Sequence, residues 1–415
     1  MRRLFRILFS ALPVILLFVS PAWTEIVARE GAGYLEKIDG RYVLHLSGDY
    51  YEIGYQHGVL LKDQVKQNLM NIVDNQTEMG NTPEYKMYKT LRGAMHARLK
   101  PFIPQKYMDE LKGLADGAGL NFEDVLCGNL MPEAFHCSGI ALFGKATRDG
   151  SLYHVRILDY MTKAGLQDLA VIMIVHPKGA HGFMNVSYAG SLGSVTGMND
   201  AQITIGEMGG KGQGFYDGMP MPLLLRDALE RAGTLEEAMK IFQETPRTCE
   251  YYYVISDAKI PDARGVYATP AQIAFIEPGS MFGFFKVLPA PEKDAGDGKV
   301  LLTGLKMEQS KHQILFQGPN GSMGFMGMLP ENTVVISGED RYRFFLERLD
   351  TEYGKVDETR LMEMIKRPVS MKSNLHCAIF HPATAEAWVA HAASDGAPAC
   401  DQTYHHYVLE PPSAN

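Results

Sequence analysis

At Cys137 the chain changes texture, and that change limits the folds open to it. Upstream, apolar residues recur at three- and four-residue steps: Leu60, Leu61, Val65, Leu69 and Ile72, then Leu91, Met95 and Leu99. Such spacing lines one face of a helix. Pro101 and Pro104 interrupt the run, which resumes over 107–115 and again after Asn121. Downstream, 139–143, 152–157 and 169–175 are short runs rich in Ile, Val, Leu and Tyr, parted by Asp149-Gly150 and Pro177-Lys178-Gly179. These are strand and turn signals. Helical patterns follow over 220–244, 337–349 and 358–365. Strand patterns fall at 182–188, 201–205, 251–256, 266–269, 273–277, 300–302, 375–381, 386–393 and 406–409. Ahead of the helices only 42–46 reads as a strand. Strands and helices come in blocks rather than in βα alternation, so the expectation is an α+β layered fold. The segments 290–299 and 317–327 read as loops, the second apolar and mobile.

The chain has 415 residues, 46% of them hydrophobic, enough for a sizeable core. Its formal charge of −8, with no basic block beyond the extreme N-terminus, argues against a nucleic-acid partner. Arg2, Arg3 and Arg6 precede an apolar run over 7–19 and the small residues Ser20-Pro21-Ala22. This is the layout of a secretory signal, and the run is short for a membrane span. We therefore expect a signal peptide over 1–22, a secreted or periplasmic product, and no stable membrane anchor after signal removal. Five cysteines leave at least one thiol unpaired in an oxidising compartment. Their spacing fits no zinc site, and the paired His405-His406 reads as solvated, so neither metal nor cofactor is expected.

The segment with chemical content is Cys137-Ser138-Gly139-Ile140-Ala141, the turn Asp149-Gly150, and Arg156-Ile157-Leu158-Asp159. Two strands joined by an Asp-Gly turn make a hairpin, and pairing returns Arg156 and Asp159 toward Cys137. A thiol attacks carbonyls only after losing its proton. A free α-amine on the same residue has a pKa near 8 and accepts that proton at neutral pH. An arginine lowers the thiol pKa, and a carboxylate orients the amine.

This arrangement resembles the N-terminal-nucleophile hydrolases, in particular the isopenicillin N acyltransferase-like branch. The likeness extends along the chain. Gly48 to Gly58 is similar to that branch's opening Glu-x-Gly-x-x-x-Gly element, and Gly193-Ser194-Val195-Thr196-Gly197-Met198-Asn199 to a later strand–turn element. Ser337-Gly338-Glu339-Asp340-Arg341 resembles the helix start that carries a late catalytic arginine, and 380–390 the closing hairpin. The resemblance implies a four-layer αββα sandwich over 137–415, preceded by a mainly helical propeptide or small-subunit segment over 23–136. It implies self-cleavage between His136 and Cys137; the two fragments are expected to stay associated, because exposing the apolar helix faces to water would be costly. It also implies catalysis by Cys137, Arg156, Asp159 and Arg341, on a small-molecule amide such as an N-acyl amino compound or small peptide, through a thioester on Cys137.

Three positions depart from the family's pattern. His136 stands where Gly is frequent, and Ile157 where Asn often follows the arginine. Gly304 stands where relatives often place an asparagine that holds the oxyanion. A backbone N–H, Asn185 or Asn199 is then the candidate donor, with turn-forming the simpler role for Asn199. Glu207, just after a strand, is a pocket candidate. Two other readings use the same fold: an exported binding protein that has lost catalysis, and an acyl-ester or phospholipid hydrolase.

Overall fold

The computed structural model describes residues 24–74, 81, 83–130, 137–160, 162–211, 215–286, 306–317 and 323–410. Three strands come first, β1 (Thr24–Glu30), β2 (Gly33–Ile38) and β3 (Arg41–Gly48). Five helices follow: α1 (Tyr50–Leu60), α2 (Lys62–Asp74), α3 (Pro83–Leu99), α4 (Gln105–Ala118) and α5 (Phe122–Asn129). After Cys137 come β4 (Ser138–Leu142), β5 (Tyr153–Asp159), β6 (Ala170–Pro177), β7 (Phe183–Tyr188), β8 (Thr196–Asn199) and β9 (Ile203–Lys211). Two helices, α6 (Met221–Arg231) and α7 (Leu235–Glu244), precede β10 (Glu250–Asp257), β11 (Asp262–Ala268) and β12 (Ile273–Ile276). Then come β13 (Met281–Lys286), β14 (Lys306–Gln309), β15 (Gln313–Gln317), β16 (Met323–Met328) and β17 (Thr333–Ile336). The chain closes with α8 (Glu339–Glu352), α9 (Glu358–Met364), β18 (Asn374–His381), β19 (Glu386–His391) and β20 (His405–Val408).

The first twelve strands, less β4 and β5, form a ten-stranded sheet in the order β1-β2-β3-β6-β7-β8-β9-β10-β11-β12. A six-stranded sheet runs β17-β4-β5-β18-β19-β20, and a small one β13-β16-β15-β14. Strand residues alternate between faces, and the alternation sorts the core into layers. Val43, Ile172, Ile174 and Val186 of the large sheet meet Ala378, Phe380 and Val389 of the six-stranded sheet. Their neighbours Leu44, Met173 and Val175 face the other way, onto Ile53 of α1, Leu111 and Leu114 of α4 and Leu225 of α6. On the far side of the six-stranded sheet, Ile157, Cys377 and Ile379 pack with Phe345, Leu346 and Leu361 of α8 and α9. The result is helix, sheet, sheet, helix, the expected αββα sandwich.

Upstream of Cys137 the five helices are preceded by three strands, where only one, over 42–46, was expected. Residues 24–48 are three strands, and β3 joins the large sheet parallel to β6, pairing Val43 with Ile172 and Leu46 with Val175. The β1–β2 hairpin is mostly solvent-exposed or half-buried at the sheet edge, so it lacks the apolar alternation that announces a strand. The helices begin on a capping box, in which the Asp49 side chain accepts from Glu52 N–H and the Glu52 side chain accepts from Asp49 N–H. The Gly54 and Gly58 face of α1 then lies against Gly113 and Gly117 of α4. A β-carbon at Gly54 would collide with the Glu110 carbonyl, and one at Gly113 with the Tyr51 carbonyl. The Gly-x-x-x-Gly spacing read as a sequence signature therefore permits two backbones to touch.

The expected loop at 317–327 is corrected in part. Residues 323–328 are β16, which sits between β13 and β15 in the small sheet. The loop at 290–299 and the strand expected at 300–302 lie outside the described residues.

Candidate active site

Strands β4 and β5 pair antiparallel, Ser138 with Ile157 and Gly139 with Arg156. At the bend Gly150 takes φ +81°, a conformation that favours glycine. Asp149 accepts from the Ser151 backbone at 3.0 Å. The hairpin thus sets Cys137, one residue ahead of β4, beside the end of β5. On the other edge of β4, β17 pairs Ile336 with Gly139. The chain leaves β17 through Gly338 straight into α8. Arg341, in the first turn of that helix, reaches back over the start of β4.

These placements converge on one thiol. Cys137 is buried, at 3% exposure. Its sulfur accepts a hydrogen bond from the Asp159 backbone N–H and lies against the Arg156 guanidinium. Burial pushes the thiol up to about 12; Arg156 and the Asp159 N–H pull it down, and the carboxylates of Glu207 and Asp159 push it further up. Burial disfavours the Arg156 charge, but Cys137, Glu207 and Asp159 outweigh it, so this fully buried guanidinium is held above its ordinary pKa. One Arg156 amino group donates to Glu207 Oε2 at 3.3 Å, and the other to the Ile157 carbonyl at 2.5 Å.

Arg341 connects two members of the group. Its Nη1 donates to Asp159 Oδ2, and its Nη2 donates to the Cys137 carbonyl at 3.0 Å. The other Asp159 oxygen accepts from Met371 N–H at 3.0 Å. Burial raises the Asp159 pKa against the pull of Arg341, the Met371 N–H, Arg156 and Asn374. Ser138 and Ser337 share a hydrogen bond of 2.6 Å that ties β4 to the segment leading into α8.

Glu207, expected only as a pocket residue, is fully buried and accepts both from Arg156 and from Gly209 N–H. Burial raises its carboxyl to about 7, against Arg156 and the Gly209 N–H, which lower it. Asn374 was missed altogether. At 0% exposure it donates from Nδ2 to the Leu158 and His376 carbonyls, both at 3.1 Å, and it is the strand partner of Asp159. It stands at a register shift between β18 and β5, where the ladder skips a residue. No local sequence signal marks such a bulge.

The two asparagines proposed as oxyanion donors have other work. Both Asn199 Nδ2 hydrogens go to carbonyls, Leu229 O and Ala232 O at 2.8 Å, and its Oδ1 accepts from Ile203 N–H. An amide has only two such hydrogens. Asn199 is therefore a turn brace, and the donor role is corrected. Asn185 donates to Gly193 O and accepts from Ser194 Oγ, bracing the β7–β8 connection. Gly304 and His136 lie outside the described residues. His376 is buried between Tyr188 Oη and Thr196 Oγ1, at 3.1 Å from each. His406 meets Glu386 at the surface.

Residues 146–273, which carry Arg156, Asp159 and Glu207, match the family model described as acyl-coenzyme A:6-aminopenicillanic acid acyl-transferase. The likeness to this family covers 128 of the 415 residues. Among curated relatives it is similar to protein dcd1B of Dictyostelium discoideum, 29% identical over 51% of this chain and 47% of that one. It is similar to dcd1A of the same organism, 24% identical over 68% of this chain and 70% of that one. It is also similar to the N-acylethanolamine-hydrolyzing acid amidase of Mus musculus, 26% identical over 39% of this chain and 47% of that one. The chain thus spans about half the length of two of these relatives. The family match begins at Ala146, after Cys137, so the position of the thiol within the site rests on the hairpin geometry.

Proposed function

We propose that the chain is an exported cysteine amidohydrolase or acyltransferase that makes its own catalytic group by cutting the bond between His136 and Cys137. One observation carries the reading: the Cys137 sulfur lies between the Arg156 guanidinium and the Asp159 N–H, with Arg341 donating to the carbonyl of the same cysteine. In cutting, the thiol attacks the His136 carbonyl and the acyl group moves from nitrogen to sulfur. Water then hydrolyses the thioester, leaving a carboxylate on His136 and a free amine on Cys137. In the uncut chain burial keeps the thiol protonated at neutral pH. Cutting supplies a base on the same residue, and Arg156 stabilises the thiolate that results.

The thiolate then adds to the carbonyl of an amide, and the C–N bond breaks as the ammonium of Cys137 protonates the leaving amine. Water resolves the thioester to an acid, and an acceptor amine resolves it to a new amide. The mouse relative's name gives N-acylethanolamines as its substrates, which supports a linear N-acyl compound here.

Intact-mass measurement of the purified protein tests the proposal. The expected masses are those of two fragments divided at 136/137, with Cys137 as a new N-terminus and the leader absent. A single uncut mass, with no N-terminal cysteine on sequencing, overturns it.

A further inference from the structure

Away from the reaction centre, two further cysteines share one small set of neighbours. Cys377 lies on β18, on the face turned toward α8 and α9, and Cys400 lies in a 3₁₀ turn over Ala399–Asp401. They are 0% and 1% exposed. Cys377 Sγ donates to Asn374 Oδ1 at 3.1 Å, and the Cys400 backbone N–H donates to the same oxygen at 2.8 Å. The Ser370 hydroxyl touches both thiols, at 3.8 Å from Cys377 Sγ. Cys127 and Cys249 sit in other surroundings, beside Arg92 and the Phe215 carbonyl.

We infer that Cys377 and Cys400 form a disulfide, which fastens the C-terminal segment to the strand bearing Asn374. Both sulfurs belong to the structure as unbridged thiols, so closure needs an oxidant, here a disulfide such as oxidised glutathione. One protein thiolate attacks a glutathione sulfur, breaking that S–S bond and releasing one glutathione thiol. The second protein thiolate then attacks the mixed disulfide and releases the other. Two protein thiols are oxidised, one glutathione disulfide is reduced, and the two protons leave with the glutathione thiols. Burial raises both cysteine pKa values in the docked state. Exchange therefore takes place while the 399–401 turn is still docking, when the thiols are open to solvent, and the finished bond is sealed from later reduction. The bridge acts beside Asn374, and so braces the residue that holds the Leu158 carbonyl and pairs with Asp159 across the strands.

The test needs no activity. The full chain, folded in a buffer of reduced and oxidised glutathione, is unfolded in guanidinium with N-ethylmaleimide and no reductant, then digested. The expected product is one linked species containing Cys377 and Cys400 that splits on reduction. Recovery of both residues as maleimide adducts, or a link from either to another cysteine, overturns the inference. In parallel, reductant applied during unfolding lowers the Tm of the wild type and leaves that of the Cys377→Ala/Cys400→Ala variant unchanged. Equal response of the two proteins overturns it as well. Neither readout depends on whether Cys137 is a nucleophile.

Discussion

Arg341 and Asp159 come from elements nearly two hundred residues apart in sequence, yet they form a salt bridge in which the carboxylate is fully buried and the guanidinium is 14% exposed. The pair ties α8 to the end of β5, and the second guanidinium arm ends on the carbonyl of Cys137. Positive charge is thereby fixed beside the cysteine that the family resemblance names as nucleophile.

Replacing Arg341 by methionine keeps the bulk of the side chain and removes the charge. Asp159 then remains in the interior without its main counter-ion. Breaking a buried pair in this way costs about 3–5 kcal/mol. Urea unfolding of Arg341→Met at neutral pH is expected to show a loss of that size, along with slower fragment formation. An unchanged midpoint would mean that solvent, not Arg341, satisfies Asp159.

The thiol's environment predicts different reactivity before and after cutting. Burial pushes the Cys137 thiol well above the ordinary cysteine range, so the uncut chain holds it protonated at neutral pH. Iodoacetamide at pH 7.5 should label Cys137 in cut molecules and leave it unlabelled in uncut ones, as read by peptide mass from the two gel bands. Cys137→Ala should give uncut chain alone. Equal labelling in both bands would remove the α-amine from the argument.

Buried neutral histidines set the acid limit of stability. His57 Nε2 accepts from Gly190 N–H at 2.9 Å, which requires that nitrogen unprotonated. Burial, with help from Arg226, lowers its pKa to about 3, and burial lowers His154 and His391 to about 3 as well. In the unfolded chain these groups titrate near 6.5. Between those values the unfolded state binds more protons, so stability present above about pH 6.5 is lost as pH falls toward 3. Each histidine contributes about 1.4 kcal/mol per pH unit in that window. His57→Gln keeps an acceptor for Gly190 and removes the titration, so its Tm should fall less steeply with acid than the wild type's. Parallel slopes would count against a neutral His57.

The contact of α1 with α4 separates two glycine substitutions. Gly113→Ala places a methyl against the Tyr51 carbonyl, a backbone atom that cannot swing away. The expected cost is about 1–3 kcal/mol or more. Gly93→Ala in α3 meets nothing within 4 Å and should stabilise by about 0.5–1 kcal/mol through helix propensity. Thermal melts of the two variants should move in opposite directions.

Much of this site was legible in the sequence because its first half is local. The Asp-Gly turn sets the hairpin register, and that register brings Arg156 and Asp159 to Cys137. Arg341 was legible only through the family pattern, since nothing near it in sequence points to a partner on β5. Asn374 and the Met371 N–H escaped notice because their roles arise from a ladder irregularity between distant strands. Asn199 was read in two ways, and the turn won because the carbonyls that bind its amide belong to α6 and the residue that follows it. The β1–β2 edge hairpin was missed because few of its side chains are buried.

The parallel seam of β3 with β6 has a consequence for the protein's history. On the proposed cut before Cys137, one sheet is woven from two separate polypeptides. Folding of the intact precursor is then a first-order event, whereas reassembly of the cut form is second-order and depends on dilution. A molecule unfolded after cutting is expected not to recover at low concentration, so each copy folds efficiently once and its working lifetime is governed by how slowly it opens.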